Sequence, residues 1–543
     1  MWKRFLLAGT LIVLATAASV STAVLLEVDR VVDVFRANNG ALAGIDEVLD
    51  DVQAGEPQTI LLLGSDDRYD DRVAGIPGRS DTMILVRLDP DREVTSILSI
   101  PRDLKVRIPT DGSAPASAVF DEEEAPPSDD VLADPDAAPA DLAEADSDGD
   151  GVVVDKINTA YAIGGPRLAV QTVKDVFGLE VNHFVNVNFG GFRRAVNRLD
   201  CVYVDIDRRY FNDNMPPADS PSPYATIDVQ PGYQRLCGQD SLDYVRYRHT
   251  DTDIVRGARQ QDWLGQAKDQ VGVERIFRDR DELVRIFGTY TQTNIASNTA
   301  ILRLLKLIYE SSRNPLAEVR FRGEVGEPFV TVSEEDLERM SEEFLLGEQT
   351  RGSKGDGGRG DTGRAEEDGE GPEDGEGSDG GGSGDEGSGD GRDAIPAGLE
   401  DAAREGQDQA AAAAVELDLP VYYPRLRTEL SDYMGQPRVY PIEGPDGERH
   451  EAYRMVLDAE GVGVYVGVQG TAWRDPPILD SPSEVRRLAG RDYMLFFDGS
   501  RLARVGWRTE RGSYWVSNTL LRSLSNREML GIARSLTRIG SQG

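Results

Sequence analysis

Apolar and polar positions divide the chain into units. Lys3 and Arg4 precede an uncharged run from Phe5 to Leu26, long enough to span a bilayer as a helix. Basic residues on its N-terminal side predict that residues 1–4 stay inside and everything after 26 lies outside the cell. A cleaved signal peptide is the rival, because "ATAAS" offers small residues. The run continues through "TAVLL", beyond a usual signal core, and this favours a retained anchor. Residues 27–56 read as a helical stalk. From Pro57 the pattern turns to strands. "QTILLLGSD" is a continuous apolar run, "SDTMILVRLDP" a second and "EVTSILSIPRD" a third, rich in β-branched residues.

Further on the period changes. Leu168, Val170, Val173 and Val176 recur at helical spacing, and Gly178 is a natural stop. "HFVNVNFGGFRRAVNRLDCVYVDI" reads strand, helix, strand. "SLDYVRYRH" reads as a helix passing into an extended segment, and "GARQQDWLGQAKDQV" as a helix, with more helix through Leu346. Strands alternating with helices predict an α/β domain over 57–347. A second domain, over 411–543, reads as a smaller α+β module. Its signals are strands at "VGVYVGVQG" and "YWVSNTLL", a hairpin at Asp498-Gly499, and a closing helix. Ser525 and Glu528 form a capping box there, with Met529, Ile532, Leu536 and Ile539 on one face.

Two stretches carry too few large apolar side chains to bury a core. Residues 111–150 are Ala, Pro, Asp and Glu, and predict a disordered insertion. Residues 348–410 are Gly, Asp, Glu and Ser, and predict a self-repelling linker. The "RGD" at Arg359–Asp361 lies in a tract built from those letters and is read as chance. The formal charge is −37, with 96 acidic side chains against 59 Lys plus Arg. So acidic a chain would be repelled by a phosphate backbone, which excludes a general nucleic-acid binder. The only cysteines are Cys201 and Cys237. In an extracytoplasmic setting they predict one disulfide, against the alternative of two buried thiols.

Within this acidic chain, "YVRYRHTDTDIVRGARQQ" gathers Arg246, Arg248, Arg256 and Arg259. Arg246 and Arg248, two apart, face one way on an extended segment; Arg256 and Gln260, four apart, share a helix face. Arg79, Arg102 and Lys156 also flank apolar elements. Guanidinium forks bind phosphate bidentately. Asp66 follows the first strand and Asp81 opens the second; on antiparallel neighbours they would share one sheet edge. Two carboxylates beside an anion suit Mg²⁺, with Mn²⁺ as the alternative ion. The competing readings are that the aspartates cap turns and that the arginines pair with Asp243, Asp251 or Asp253.

Six motifs in order, "LLLGSDDR", "GRSDTMILVRLDP", "SIPRDLKVRIP", "KINTAYAIGGP", "VNFGGFRRAVNRLDCVYVDI" and "LDYVRYRHTDTDIVRGARQQ", resemble those of the LytR-CpsA-Psr family over about 57–265. The resemblance implies an α/β/α domain with a central mixed sheet and a pocket for a polyprenyl chain. It implies a membrane-anchored phosphotransferase that moves a glycopolymer from a polyprenyl pyrophosphate carrier to peptidoglycan. By the same resemblance Asp66 and Asp81 correspond to metal ligands. Arg79, Arg102, Lys156, Arg246, Arg248, Arg256 and Gln260 correspond to pyrophosphate-binding positions. Asp81, Arg79 and Arg102 are the candidates for catalysis, Asp81 as the proton acceptor.

The insertion departs from the family pattern. It ends in Asp146, Asp148 and Asp150, spaced as in half an EF-hand loop, but Ile157 stands where the loop needs Glu. The second domain has no motif of this kind; Tyr514 and Trp515 read as core, and the domain as a binding or structural module. A hydrolase using the same groups, and a non-catalytic lipid-glycan binder or wall scaffold, remain as alternatives, since no motif encodes the acceptor.

Overall fold

The computed structural model describes residues 44–53, 55–65, 80–110, 115–119, 151–213, 226–247, 250–272, 278–295, 314–326, 328–347, 395–459, 463–488 and 490–540, with isolated positions between them. The expected anchor (5–26), Asp66, Arg79, Arg248, nearly all of the acidic insertion and most of the linker lie outside these residues. No helix among those described is long and apolar enough to cross a membrane.

The first domain is built on β1 (Gln58–Ser65), β2 (Ser80–Asp89) and β3 (Val94–Ile100), an antiparallel meander. Beside it, β4 (Lys105–Pro109) pairs with β5 (Val152–Lys156). There follow α1 (Thr159–Phe177), β6 (His183–Asn188), α2 (Phe189–Arg198) and β7 (Val202–Ile206). Next come β8 (Gly232–Leu236), α3 (Gly238–Arg246), α4 (Asp253–Gln270) and α5 (Arg280–Tyr290). The domain ends with β9 (Thr291–Thr293), β10 (Leu316–Val319) and α6 (Glu334–Leu346). The six-stranded sheet runs β9-β6-β1-β2-β3-β10. It is mixed: β6 is parallel to β1 and β10 to β3.

The continuous apolar run of β1 reflects burial on both faces. Leu61 and Leu63 meet Leu85, Leu98 and Phe184 on one side, in the core that α1 and α6 close. Ile60 and Leu62 meet Val86, Leu88 and Val185 on the other. Helix α1 ends, as its pattern predicts, at Gly178, which is left-handed with φ 62°. The expected stalk is corrected over its described part. Ile45 and Val48 sit in the main core, and Asp50 binds Lys174 at 2.7 Å. Once buried against α1, the apolar positions of this segment stabilise the domain rather than a free helix.

The second domain is an eight-stranded antiparallel sheet. Its strands are Ser431–Tyr433, β11 (Arg438–Glu443), β12 (Arg449–Ala459), β13 (Tyr465–Thr471), β14 (Glu484–Leu488), β15 (Arg491–Asp498), β16 (Arg501–Arg508) and β17 (Ser513–Ser517). Helices α7 (Ala403–Ala414) and α8 (Asn526–Ser535) cover it. Tyr514 and Trp515 are fully buried, and the expected hairpin is present, its turn at Gly499–Ser500 after Asp498 pairs with Arg501. Two expectations are corrected. Leu399–Asp401, a strand, and most of helix α7 precede the expected boundary at 411; Ala410 and Ala413 bury one side of an Ala-rich helix that composition alone presents as linker. Helix α8 keeps its capping box but stops at Ser535; Thr537–Arg538 instead pairs with Tyr422–Tyr423 as a strand.

Candidate active site

The site is built at the end of the sheet where β1 finishes and β2 starts. The pairing runs Gly64↔Thr82 and Ser65↔Ser80, with a bulge between, so Asp81 opens β2 opposite the end of β1. Asp66 follows Ser65 directly. The antiparallel arrangement required for the two aspartates to share an edge is therefore present.

Helix α4 lies across this edge. Thr252 caps it by accepting a hydrogen bond from the Val255 amide. Gly257 lets it approach β3 closely, since a Cβ there would come within 3.0 Å of Ser99 Cβ. Gln260 then donates to Thr82 Oγ1 and to the Val245 carbonyl, each at 3.1 Å. One turn earlier on the same face stands Arg256, 3.0 Å from Asp253 Oδ1.

Arg102 and Asp103 follow β3, and Lys156 ends β5. Lys156 Nζ is 3.0 Å from Asp103 Oδ1. Arg102 Nε is 3.6 Å from both Asp103 and Asp253. Three predicted site residues, Arg102, Lys156 and Arg256, thus converge, and two carboxylates hold them in place. Among the described residues this cluster holds three cations and two carboxylates. Asp253 Oδ2 is buried and accepts no hydrogen bond among the described residues. Burial raises the Asp103 pKa, Asp253 raises it further, and Arg102 and Lys156 only partly oppose them. Asp103 and Asp253 were not assigned site roles from sequence; the spacing of Asp253 three residues before Arg256 was the available signal.

Arg246 differs from expectation. It ends helix α3 instead of lying on an extended segment, and its guanidinium stacks 3.9 Å over the Phe189 ring at the start of α2. The turn to extended backbone comes at Tyr247. The ion-pair reading holds for Arg259, which is fully buried. It donates to Asp251 and to the Tyr247 carbonyl, framed by the rings of Tyr210, Tyr244 and Tyr247. Arg259 therefore ties Tyr247 to Asp251 and is not available to a ligand.

Cys201 and Cys237 form a disulfide with Cα atoms 4.4 Å apart. Cys237 is the N-cap of α3, so the bond ties the helix bearing Arg246 to the start of β7. Ile157 is fully buried, which removes the last position of an EF-hand reading. In the second domain, Asp446, Glu448 and His450 bring ligand atoms within 4.8 Å of one another on the β11–β12 hairpin, both carboxylates being exposed.

The sequence pattern of the LytR_cpsA_psr family matches residues 33–343; the second domain lies outside it. Among curated proteins, the chain is similar to the polyisoprenyl-teichoic acid–peptidoglycan teichoic acid transferase TagU of Oceanobacillus iheyensis. The two are 27% identical over 297 residues, 52% of this chain and 74% of that protein. TagT of Bacillus subtilis, named for the same transfer, is 27% identical over 243 residues, 45% of this chain and 62% of that one. Among solved structures, protein gbs0355 of Streptococcus agalactiae aligns over 56% of this chain and 89% of its own at 22% identity, with a TM-score of 0.41.

Proposed function

We propose that this chain, which belongs to the LytR_cpsA_psr family, is a phosphotransferase that moves a glycopolymer from a polyprenyl pyrophosphate carrier to peptidoglycan. The observation that carries the reading is the cluster of Arg102, Lys156 and Arg256, spaced by Asp103 and Asp253, at the sheet end where β2 begins. Its guanidinium forks suit a pyrophosphate.

A sugar hydroxyl of peptidoglycan attacks the sugar-proximal phosphorus. A new P–O bond forms, the anhydride P–O bond breaks, and polyprenyl monophosphate departs with the bonding electrons. The hydroxyl proton passes to Asp81, and the product is a phosphodiester. Arg102, Lys156 and Arg256 orient the pyrophosphate and stabilise the charge that develops on the leaving phosphate. Arg79, Arg246, Arg248 and Gln260 complete the assigned binding set. Two carboxylates make an all-oxygen donor pair that fits a hard cation, so Asp66 and Asp81 would hold Mg²⁺, which supplies further charge neutralisation when bound. Residues 5–26 would anchor the chain, with both domains on the outer face of the membrane.

The test is the thermal shift produced by a prenyl pyrophosphate on the full chain. Arg102→Ala and Arg256→Ala are expected to lose most of that shift. A shift equal to the parent's in both variants would remove the pyrophosphate from this site.

A further inference from the structure

Helix α4 has two working faces. Asp253, Arg256, Gly257 and Gln260 form the one that meets the sheet and the charged cluster. At 3.6 residues per turn, Val255, Ala258 and Asp262 lie on the opposite side, and these three positions meet the second domain. Val255 and Ala258 pack with Leu520. Gly463 closes on Val255 so tightly that a Cβ there would sit 2.6 Å from a Val255 methyl. Asp262 receives Arg522 Nη2 at 3.0 Å.

Arg522 is buried and forked. Its Nε donates to Asp498 at 3.2 Å and its Nη1 to the Thr519 carbonyl at 3.1 Å. Asp498 in turn takes Arg320 Nη2 at 3.1 Å. Arg320 reaches back to α4 through the Ala258 carbonyl and Gln261. The helix is thereby clamped between the sheet and the corner of the second domain that holds Asp498 and Arg522. Its roll about its own axis sets where Arg256 points.

We propose that Arg522 is a positioning residue for the anion site: by gripping Asp262 it fixes the roll of α4 and so holds Arg256 and Gln260 toward the ligand. The second domain is then part of the catalytic unit. As far as it concerns ligand binding, this inference rests on the pyrophosphate reading above.

The test uses the full chain in four forms: parent, Arg522→Lys, the double change Arg522→Gln with Asp262→Asn, and Ile532→Val as a control in the core under α8. The double change avoids leaving a lone buried charge and so keeps the protein folded. Amide hydrogen exchange over 253–260 is measured without ligand, and affinity for farnesyl pyrophosphate by calorimetry. In the double variant, exchange should quicken and affinity should fall, each by about tenfold, because small misplacements of a clamp are amplified at the site. Arg522→Lys should lie between it and the parent. In an Arg256→Lys background the affinity loss should vanish. Ile532→Val should change neither quantity, even where it lowers Tm. A folded double variant that exchanges and binds like the parent would overturn the proposal, as would an equal affinity loss in the Arg256→Lys background. If the parent itself fails to bind farnesyl pyrophosphate, the pyrophosphate reading falls, and the exchange rates alone decide whether Arg522 positions the helix.

Discussion

Replacing Asp205 with Ala should be among the most damaging single changes in the chain. Asp205 lies on β7 of the first domain, yet its carboxylate serves the second. It accepts from Arg454 Nη1 at 2.9 Å, from Trp515 Nε1 at 3.1 Å and from Ser517 Oγ. The Asp205 and Arg454 side chains are 3% and 1% exposed. Truncation leaves a guanidinium buried without its counter-charge, a lesion worth about 3–5 kcal/mol. Arg454→Met alone strands the carboxylate and should cost a similar amount. The double change removes both charges and should cost clearly less than the two singles together. Around this pair Tyr203 and Tyr233 share a core with Tyr440, Met494 and Trp515, so parent unfolding should be one transition across both domains. The assay is urea unfolding of the full chain, followed by tryptophan fluorescence and far-UV circular dichroism. Coincident parent curves and a strongly lowered midpoint for Asp205→Ala are expected. Two separate parent transitions, with Asp205→Ala within about 1 kcal/mol of the parent, would refute the shared interface.

Glu318 is buried beside Asp498, and burial first, then Asp498, pushes its pKa up to about 8 against the pull of Arg320 and Arg522. The folded state therefore holds a proton that the unfolded state releases nearer pH 4.5, so this group lowers stability as pH rises from about 5 to 8. The Tm of Glu318→Gln relative to the parent should climb across that window and level off above it; a constant difference would contradict the shift. Reducing the Cys201–Cys237 bond, which spans 36 positions, should destabilise the chain by about 3–4 kcal/mol on the chain-entropy account. Mass spectrometry should show the reduced chain heavier by two hydrogens, and alkylation of both thiols in native protein would refute the bond. Asp81→Asn should abolish Mg²⁺-dependent turnover while leaving the circular dichroism spectrum unchanged; retained turnover would remove Asp81 from the mechanism.

What the sequence could disclose was local. The apolar runs of β1 to β3, the stop at Gly178, the capping box of Ser525 and Glu528, and the hairpin at Asp498-Gly499 each depend on neighbours within a few residues. Composition misled where small side chains pack well: Ala410 and Ala413 look like linker but bury a helix face. Periodicity misled at Leu536 and Ile539, which continue the spacing of α8 after the backbone has left the helix to pair with Tyr422–Tyr423. Arg102, Lys156 and Arg256 could be nominated because each flanks an apolar element, whereas the buried pairing of Arg259 with Asp251 could not be told from a ligand contact. The contacts between domains were invisible. Asp205 and Arg454 are 249 positions apart and Asp262 and Arg522 260 apart, and each reads singly as a surface charge. Only the fold brings them out of water together.

Transfer of the glycopolymer to peptidoglycan can be followed on the polymer itself. The full chain is incubated with a polyprenyl pyrophosphate-linked oligosaccharide, Mg²⁺ and peptidoglycan, and the digested wall is analysed by mass spectrometry. Muropeptides carrying the oligosaccharide through a phosphodiester are expected, together with released polyprenyl monophosphate, and both should be lost in Arg256→Ala. Release of polyprenyl monophosphate with the oligosaccharide phosphate free in solution, and none on the wall, would show water as the acceptor and contradict the account.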